Sequence, residues 1–230
     1  LGTILDRNKK IIMEDPTYLT AYYDFLHMGF QVKTVGQDGS GLNVMELEHT
    51  DGEIVYVMPS HQFPMGTVMP LSRRMELLSW AGKQEGRYII EDDYDSEFRL
   101  LGKPIPSLQS IDVMNKVIYM NTFTKTLAST VRISYMILPR PLLEQFYQKL
   151  SFYSCTVSNF EQYTLDLFIK EGYFEKHINR LRNYYQNKKN GFLSAIWDSG
   201  LHKCVEISGE EAGVCLLYTS PSPRDAHESR

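Results

Sequence analysis

Read as a pattern of apolar and polar positions, the chain alternates short β-branched runs with longer segments of helical period. Ile11–Met13 predicts a strand that ends at Glu14-Asp15-Pro16, and Tyr18–Met28 predicts a helix with Thr17 as its cap. Gln31–Val35 is a second strand, followed by a turn-rich stretch from Gly36 to Gly41. Ile54–Met58 is a strand running into Pro59. Ser72 to Gln84 is helical with Ser72 as N-cap, and Tyr88–Ile90 is a strand that stops at Glu91-Asp92-Asp93. Val117–Met120 and Ile133–Leu138 add two more strands. After Pro139 the period is helical, with two helices within Pro141–Glu171 and a longer one from Tyr173 to about Trp197.

Alternation of strand and helix predicts a layered α/β domain around a largely parallel sheet. Such sheets bind ligands beyond the carboxyl ends of their strands. Polar clusters stand at four such places, after Met13, Met58, Ile90 and Met120.

Composition narrows the class. The 230 residues are 43% hydrophobic and 23% charged, which suits a globular domain large enough to bury a core. The net charge of -4 and the lack of a basic stripe argue against a nucleic-acid-binding module within these residues. Cys155, Cys204 and Cys215 match no metal spacing and form no disulfide framework, so a reducing, cytoplasmic setting is expected. No apolar run approaches a membrane span, and no signal pattern opens the chain. The start, without Met and close to a strand, is expected to be a cut end. From Cys215 the chain reads CLLYTSPSPRD and then AHESR, resembling an in-frame translation of a sequencing adaptor. Cys215–Arg230 is therefore set aside as a tail without periodic structure, the natural sequence being expected to differ beyond Val214.

Four clusters offer chemistry. Glu91–Phe98, directly after a strand, can bind a cation, a metal or a protonated ring nitrogen; taken alone it reads more readily as a solvated acidic loop. Asn121–Thr126 places Lys125 among three threonines, which suits a phosphorylated ligand, with Arg132 seven residues on for bidentate phosphate contact. A surface lysine and a surface ion pair are the ordinary alternatives. Pro59–Gly66 brackets a polar-aromatic turn in which His61 reads as a structural hydrogen-bonding group. In Glu14–Tyr18, Tyr18 either stacks on an aromatic ligand or packs in the core.

Together these clusters resemble the fold-type-I pyridoxal-phosphate enzymes. More closely, they resemble the aminotransferase-like domain of MocR-type bacterial transcription regulators of the GntR superfamily. The resemblance is carried by EDPTY (Glu14–Tyr18), PSHQFPMG (Pro59–Gly66), IIEDDYDSEF (Ile89–Phe98), PIPSLQSID (Pro104–Asp112) and VIYMNTFTKTLASTVRISYMILP (Val117–Pro139). Aminotransferases usually carry Asn-Pro-Thr-Gly where this chain has Phe63-Pro64-Met65-Gly66, which favours the regulator branch.

The resemblance implies a fold-type-I large domain over residues 1–150, connecting helices and the start of a small domain over 151–214, and the tail over 215–230. It implies pyridoxal 5'-phosphate as cofactor, with Lys125 as the Schiff-base lysine, Asp92 facing the pyridine nitrogen and Tyr94 bonding the ring oxygen. Thr122, Thr124 and Arg132 match the phosphate cup, and Tyr18 an aromatic near the ring. The implied function is an effector domain that senses a small amino compound through an external aldimine. It would act in a homodimer that meets DNA through a winged helix-turn-helix outside this chain. The alternative is an aminotransferase acting on an amino acid and a 2-oxo acid; a non-catalytic α/β scaffold is a third reading. The chain departs from the family at Thr124 (often Ser), at Ser129-Thr130 (often Pro-Gly) and at Met65 (commonly Thr). The upstream phosphate loop and the downstream carboxylate-clamping arginine of the family are not in this sequence.

Overall fold

Period-two alternation sorts the apolar residues of the strands onto two opposite faces. The computed structural model describes residues 1–99 and 105–208, without the side chains of 206 and 208, and the backbone of 217–219. Its main sheet is built from β1 (Lys10–Asp15), β2 (Gln31–Asp38), β3 (Gly41–Leu42), β4 (Ile54–Val57), β5 (Tyr88–Asp92), β6 (Val117–Thr122) and β7 (Ser134–Ile137), in the order β3-β2-β1-β4-β5-β6-β7. The five central strands are mutually parallel; β3 and β7 add antiparallel edges. One face carries Ile12, Val55, Val57, Ile89 and Val117 and buries them against α2 (Val44–Glu48), α3 (Leu71–Gly82) and α4 (Leu108–Ile111), with Trp80 at the centre. The other carries Ile11, Met13, Ile54, Tyr56, Ile90 and Ile118, packed against α1 (Leu19–His27) and the start of α5 (Arg140–Leu150). A sheet apolar on both faces needs cover on both, which is the arrangement of a parallel α/β domain. Beyond it lie α6 (Asn159–Lys170), opened by a capping box between Ser158 and Glu161, and α7 (Tyr173–Asp198). Among the described residues no helix is long and apolar enough to cross a membrane.

Several local expectations are corrected. Tyr18, with no side-chain cap bond, stands at the N-cap of α1 in place of Thr17. Pro70 precedes α3 in place of Ser72, because a proline's fixed φ and missing N–H suit a helix start. β2 continues through Gly36 to Asp38, and Gly41–Leu42 folds back on it. The short helices α2 and α4 are too brief to show a period, though Asn43 and Ser107 cap them with side-chain bonds. Within the tail, β9 (Leu217–Thr219) pairs antiparallel with β8 (Glu206–Ser208), so a strand lies where the sequence predicts none. The remainder of Cys215–Arg230 lies outside the described residues, as does Pro104 of the PIPSLQSID motif.

Candidate functional site

Strand parity places the carboxylates. Glu91 shares a face with Ile89 and Asp92 with Ile90, so neighbouring acids point to opposite sides of β5. Glu91 is fully buried and accepts the Leu108 and Gln109 backbone N–H groups at 2.8 and 2.9 Å, at the start of α4, where the helix favours an anion. Arg74, also buried, stands 3.7 Å from Glu91 and donates to the carbonyls of Pro59 (2.8 Å), Pro106 (3.0 Å) and Met69 (3.1 Å). Asp93 accepts from Ser96 and Tyr119, and Asp95 from His61. The acidic run is therefore a buried, bonded structure; the solvated loop that it suggests in isolation is not what forms.

Asp92 meets Tyr56 from the adjacent strand. The phenol, 1% exposed, donates to Asp92 Oδ2 at 2.5 Å. Burial raises the Asp92 pKa, and Tyr56 opposes that rise by bonding to the carboxylate. Burial and the same carboxylate hold the Tyr56 phenol well above its ordinary value, so it remains a donor.

The Lys125 segment is a turn after β6, tied to the approach to β7 by its threonines. Thr124 Oγ1 donates to the Val131 carbonyl at 3.0 Å and accepts from Thr122 Oγ1 at 3.0 Å. Buried Thr126 bonds back to Phe123. These bonds fix the turn, leave Lys125 exposed with its Nζ 5.7 Å from the Tyr94 ring centre, and bring Arg132 alongside, two residues before β7.

Tyr18, Asp92, Tyr94, Thr122, Thr124, Lys125 and Arg132 line one cavity of about 320 Å³, with Met58 and Phe63 completing its wall. All seven residues expected around the cofactor thus share one space, although they come from the ends of two strands and from the three loops that follow β1, β5 and β6. Tyr18 packs edge-to-face on Phe63 at 5.7 Å. The Tyr94 phenol donates to the His61 carbonyl at 2.9 Å, so its proton points to that loop. His61, expected to be structural, is buried against Asp95 at 2.9 Å. An acid on one side, a primary amine, two hydroxyls and a guanidinium on the other, and an aromatic wall can hold a small anionic ring compound and offer it a nucleophile.

Tyr56 and Arg74 are the supports that sequence reasoning missed. A signal for Tyr56 was present: a hydroxyl in the aliphatic run Ile54-Val55-Tyr56-Val57 needs a partner when buried. Arg74 carried no signal, sitting in a helix that reads as ordinarily amphipathic.

No protein-family model matches the chain. It is 44% identical over 217 residues to YdeL of Bacillus subtilis (strain 168), an uncharacterized HTH-type transcriptional regulator, covering 94% of this chain and 46% of the relative. It is 32% identical over 214 residues to MocR of Rhizobium meliloti, a probable rhizopine catabolism regulatory protein, covering 93% of this chain and 43% of the relative. A solved kynurenine aminotransferase of Pyrococcus horikoshii, in complex with PMP, superposes with a TM-score of 0.82 at 29% identity, covering 99% of this chain and 58% of that one. The chain thus spans about half the length of the curated relatives it matches. By sequence the chain is thus similar to about half of these HTH-type regulators, and by fold to the aminotransferases.

Proposed function

We propose that this domain binds pyridoxal 5'-phosphate at Lys125 and serves as the effector-sensing part of a MocR-type regulator. The observation that carries the reading is the single cavity shared by Lys125, Asp92 and the Thr122–Thr124–Arg132 cluster. The donor set fits the group: a buried carboxylate for a protonated ring nitrogen, an amine for an aldehyde, and two hydroxyls with a guanidinium for a phosphate. When bound, the cofactor supplies an aldehyde to amines and a ring that draws electrons from the bonds beside them.

The protein's part is to bind and orient. Asp92, held by Tyr56, keeps negative charge against the ring nitrogen. Thr122, Thr124 and Arg132 anchor the phosphate end, and Tyr18 and Tyr94 bound the ring. Lys125 would hold the group through its amine; a small amino compound competing for that position would leave the lysine amine free, which would change the charge and contacts of the cavity and bias the regulator between two arrangements. DNA binding would belong to a part of the regulator outside these residues, as the HTH-type naming of the relatives suggests. Homodimer formation and a cytoplasmic setting complete the proposal.

The similarity to aminotransferases sustains a second reading, in which the same lysine also moves a proton during amino transfer. Steady production of a 2-oxo acid from amino acids would mark the enzyme; a single stoichiometric response to an amine would mark the sensor. The founding test is Lys125→Ala. The variant should lose the visible absorption band and the borohydride-reducible adduct given by wild type with pyridoxal phosphate. A reducible adduct that survives in the variant would place the anchor on another lysine and overturn the reading.

A further inference from the structure

The His61–Asp95 pair is a buried titratable couple to which the functional reading gives no task. His61 is 4% exposed and Asp95 1%. A carboxylate only accepts, so the 2.9 Å contact puts the imidazole proton on Nδ1. The Tyr94 phenol lies 3.2 Å from that same Nδ1 and donates its own proton to the His61 carbonyl at 2.9 Å. The His61 carbonyl therefore holds the phenol, and the Nδ1–H that is directed to Asp95 also lies within shared reach of the phenol oxygen. His61 stands on the loop after β4, and Tyr94 and Asp95 on the loop after β5, so the grip ties two loops together above adjacent strand ends. The ring it holds is a wall of the cavity, its centre 5.7 Å from the Lys125 amine.

We propose that His61 is a positioning residue: Asp95 sets its imidazole, and His61 in turn fixes Tyr94 as the wall against which Lys125 and a bound ring are aligned. This rests on the cofactor reading above, which it extends to two residues outside the cavity lining. Loss of the imidazole unpins the His61 loop from Asp95 and leaves the phenol held by the backbone carbonyl alone, so the ring can shift and the bound group loses a fixed neighbour. Its protonation should respond, because a hydrogen bond or dipole near a titrating group shifts it only when held in place.

The test is a double-mutant cycle on the full chain loaded with pyridoxal phosphate, read as the pH midpoint of the visible band. His61→Phe should move the midpoint in the direction of Tyr94→Phe, by roughly threefold or more in proton affinity, or about half a pH unit. His61→Asn, whose amide can still donate to Asp95, should stay near wild type. In a Tyr94→Phe background, His61→Phe should add nothing further. An unmoved midpoint, or fully additive shifts, would overturn the proposal. Should His61→Phe fail to fold, Asp95→Asn weakens the same bond without stranding a charge and takes its place in the cycle. If wild type shows no band at all, the cofactor reading is what fails. The cycle is then read by urea denaturation of the cofactor-free protein, where zero coupling between positions 61 and 94 would still overturn the grip.

Discussion

The phenol of Tyr56 and the carboxylate of Asp92 meet at 2.5 Å between neighbouring parallel strands, at the floor of the cavity that Lys125 also lines. The register accounts for the meeting. Tyr56 is paired with Ile90, and Asp92, two residues on, faces the same side. One oxygen of the carboxylate is thereby engaged within the protein, which fixes the direction of the other.

Tyr56→Phe removes one hydroxyl and keeps the packing. Hydrogen bonds to charged groups contribute about 1.5–3 kcal/mol, so affinity for pyridoxal phosphate should fall by roughly tenfold or more. The bond to Tyr56 favours the ionised acid, so without it Asp92 takes up its proton at higher pH. The deficit should therefore widen as pH falls. Absorbance titrations on the acid and neutral sides check this; a deficit constant with pH would show that the phenol does not tune Asp92.

Arg132→Ala should separate phosphate recognition from ring recognition. Affinity for pyridoxal phosphate should drop by roughly tenfold, the scale of a charge-assisted hydrogen bond. Affinity for unphosphorylated pyridoxal should hardly change. Parallel titrations with the two compounds decide it, and an equal loss for both would remove Arg132 from the phosphate end.

Glu14, 1% exposed at the end of β1, is pushed by burial from 4.5 to about 7, the polar groups of Met58, Gln62 and Leu42 opposing only in part. Between those values the folded state keeps a proton that the unfolded chain has lost. Its contribution to stability is thus complete below 4.5 and is lost as pH rises through about 7. Glu14→Gln, neutral throughout, should flatten this part of the pH dependence, worth up to roughly 3 kcal/mol. Urea midpoints measured across that interval for both proteins test it. An unchanged slope would mean that Glu14 is ionised in the fold.

Arg74→Met strands the Glu91 carboxylate and leaves the Pro59, Met69 and Pro106 carbonyls without their donor. Breaking a buried pair from one side should cost about 3–5 kcal/mol. Urea denaturation measures it, and a loss below about 1 kcal/mol would show that other donors take over those carbonyls.

Much of this protein was determined by local sequence. Apolar runs at Ile11–Met13, Ile54–Met58, Tyr88–Ile90 and Val117–Met120 mark the parallel strands because both faces of such a sheet are buried. Their polar sequels mark the ligand end, since chain direction alone puts those loops on one side. The motifs around Tyr18, Asp92 and Lys125, through their resemblance to a known family, then named seven residues that do line one cavity.

What tertiary structure alone decided is who stands beside whom. Nothing within Ile54–Val57 says that β5 will lie next to it, so the partner of the Tyr56 hydroxyl was invisible until the strands paired. Nor does a run of carboxylates declare itself buried; Glu91, Asp93 and Asp95 became so because Arg74, Tyr119 and His61 arrive from distant segments. The physical reason is range. Side-chain periodicity is set by the backbone within a few residues, whereas the compensation of a buried charge depends on contacts that exist only once the chain has closed on itself.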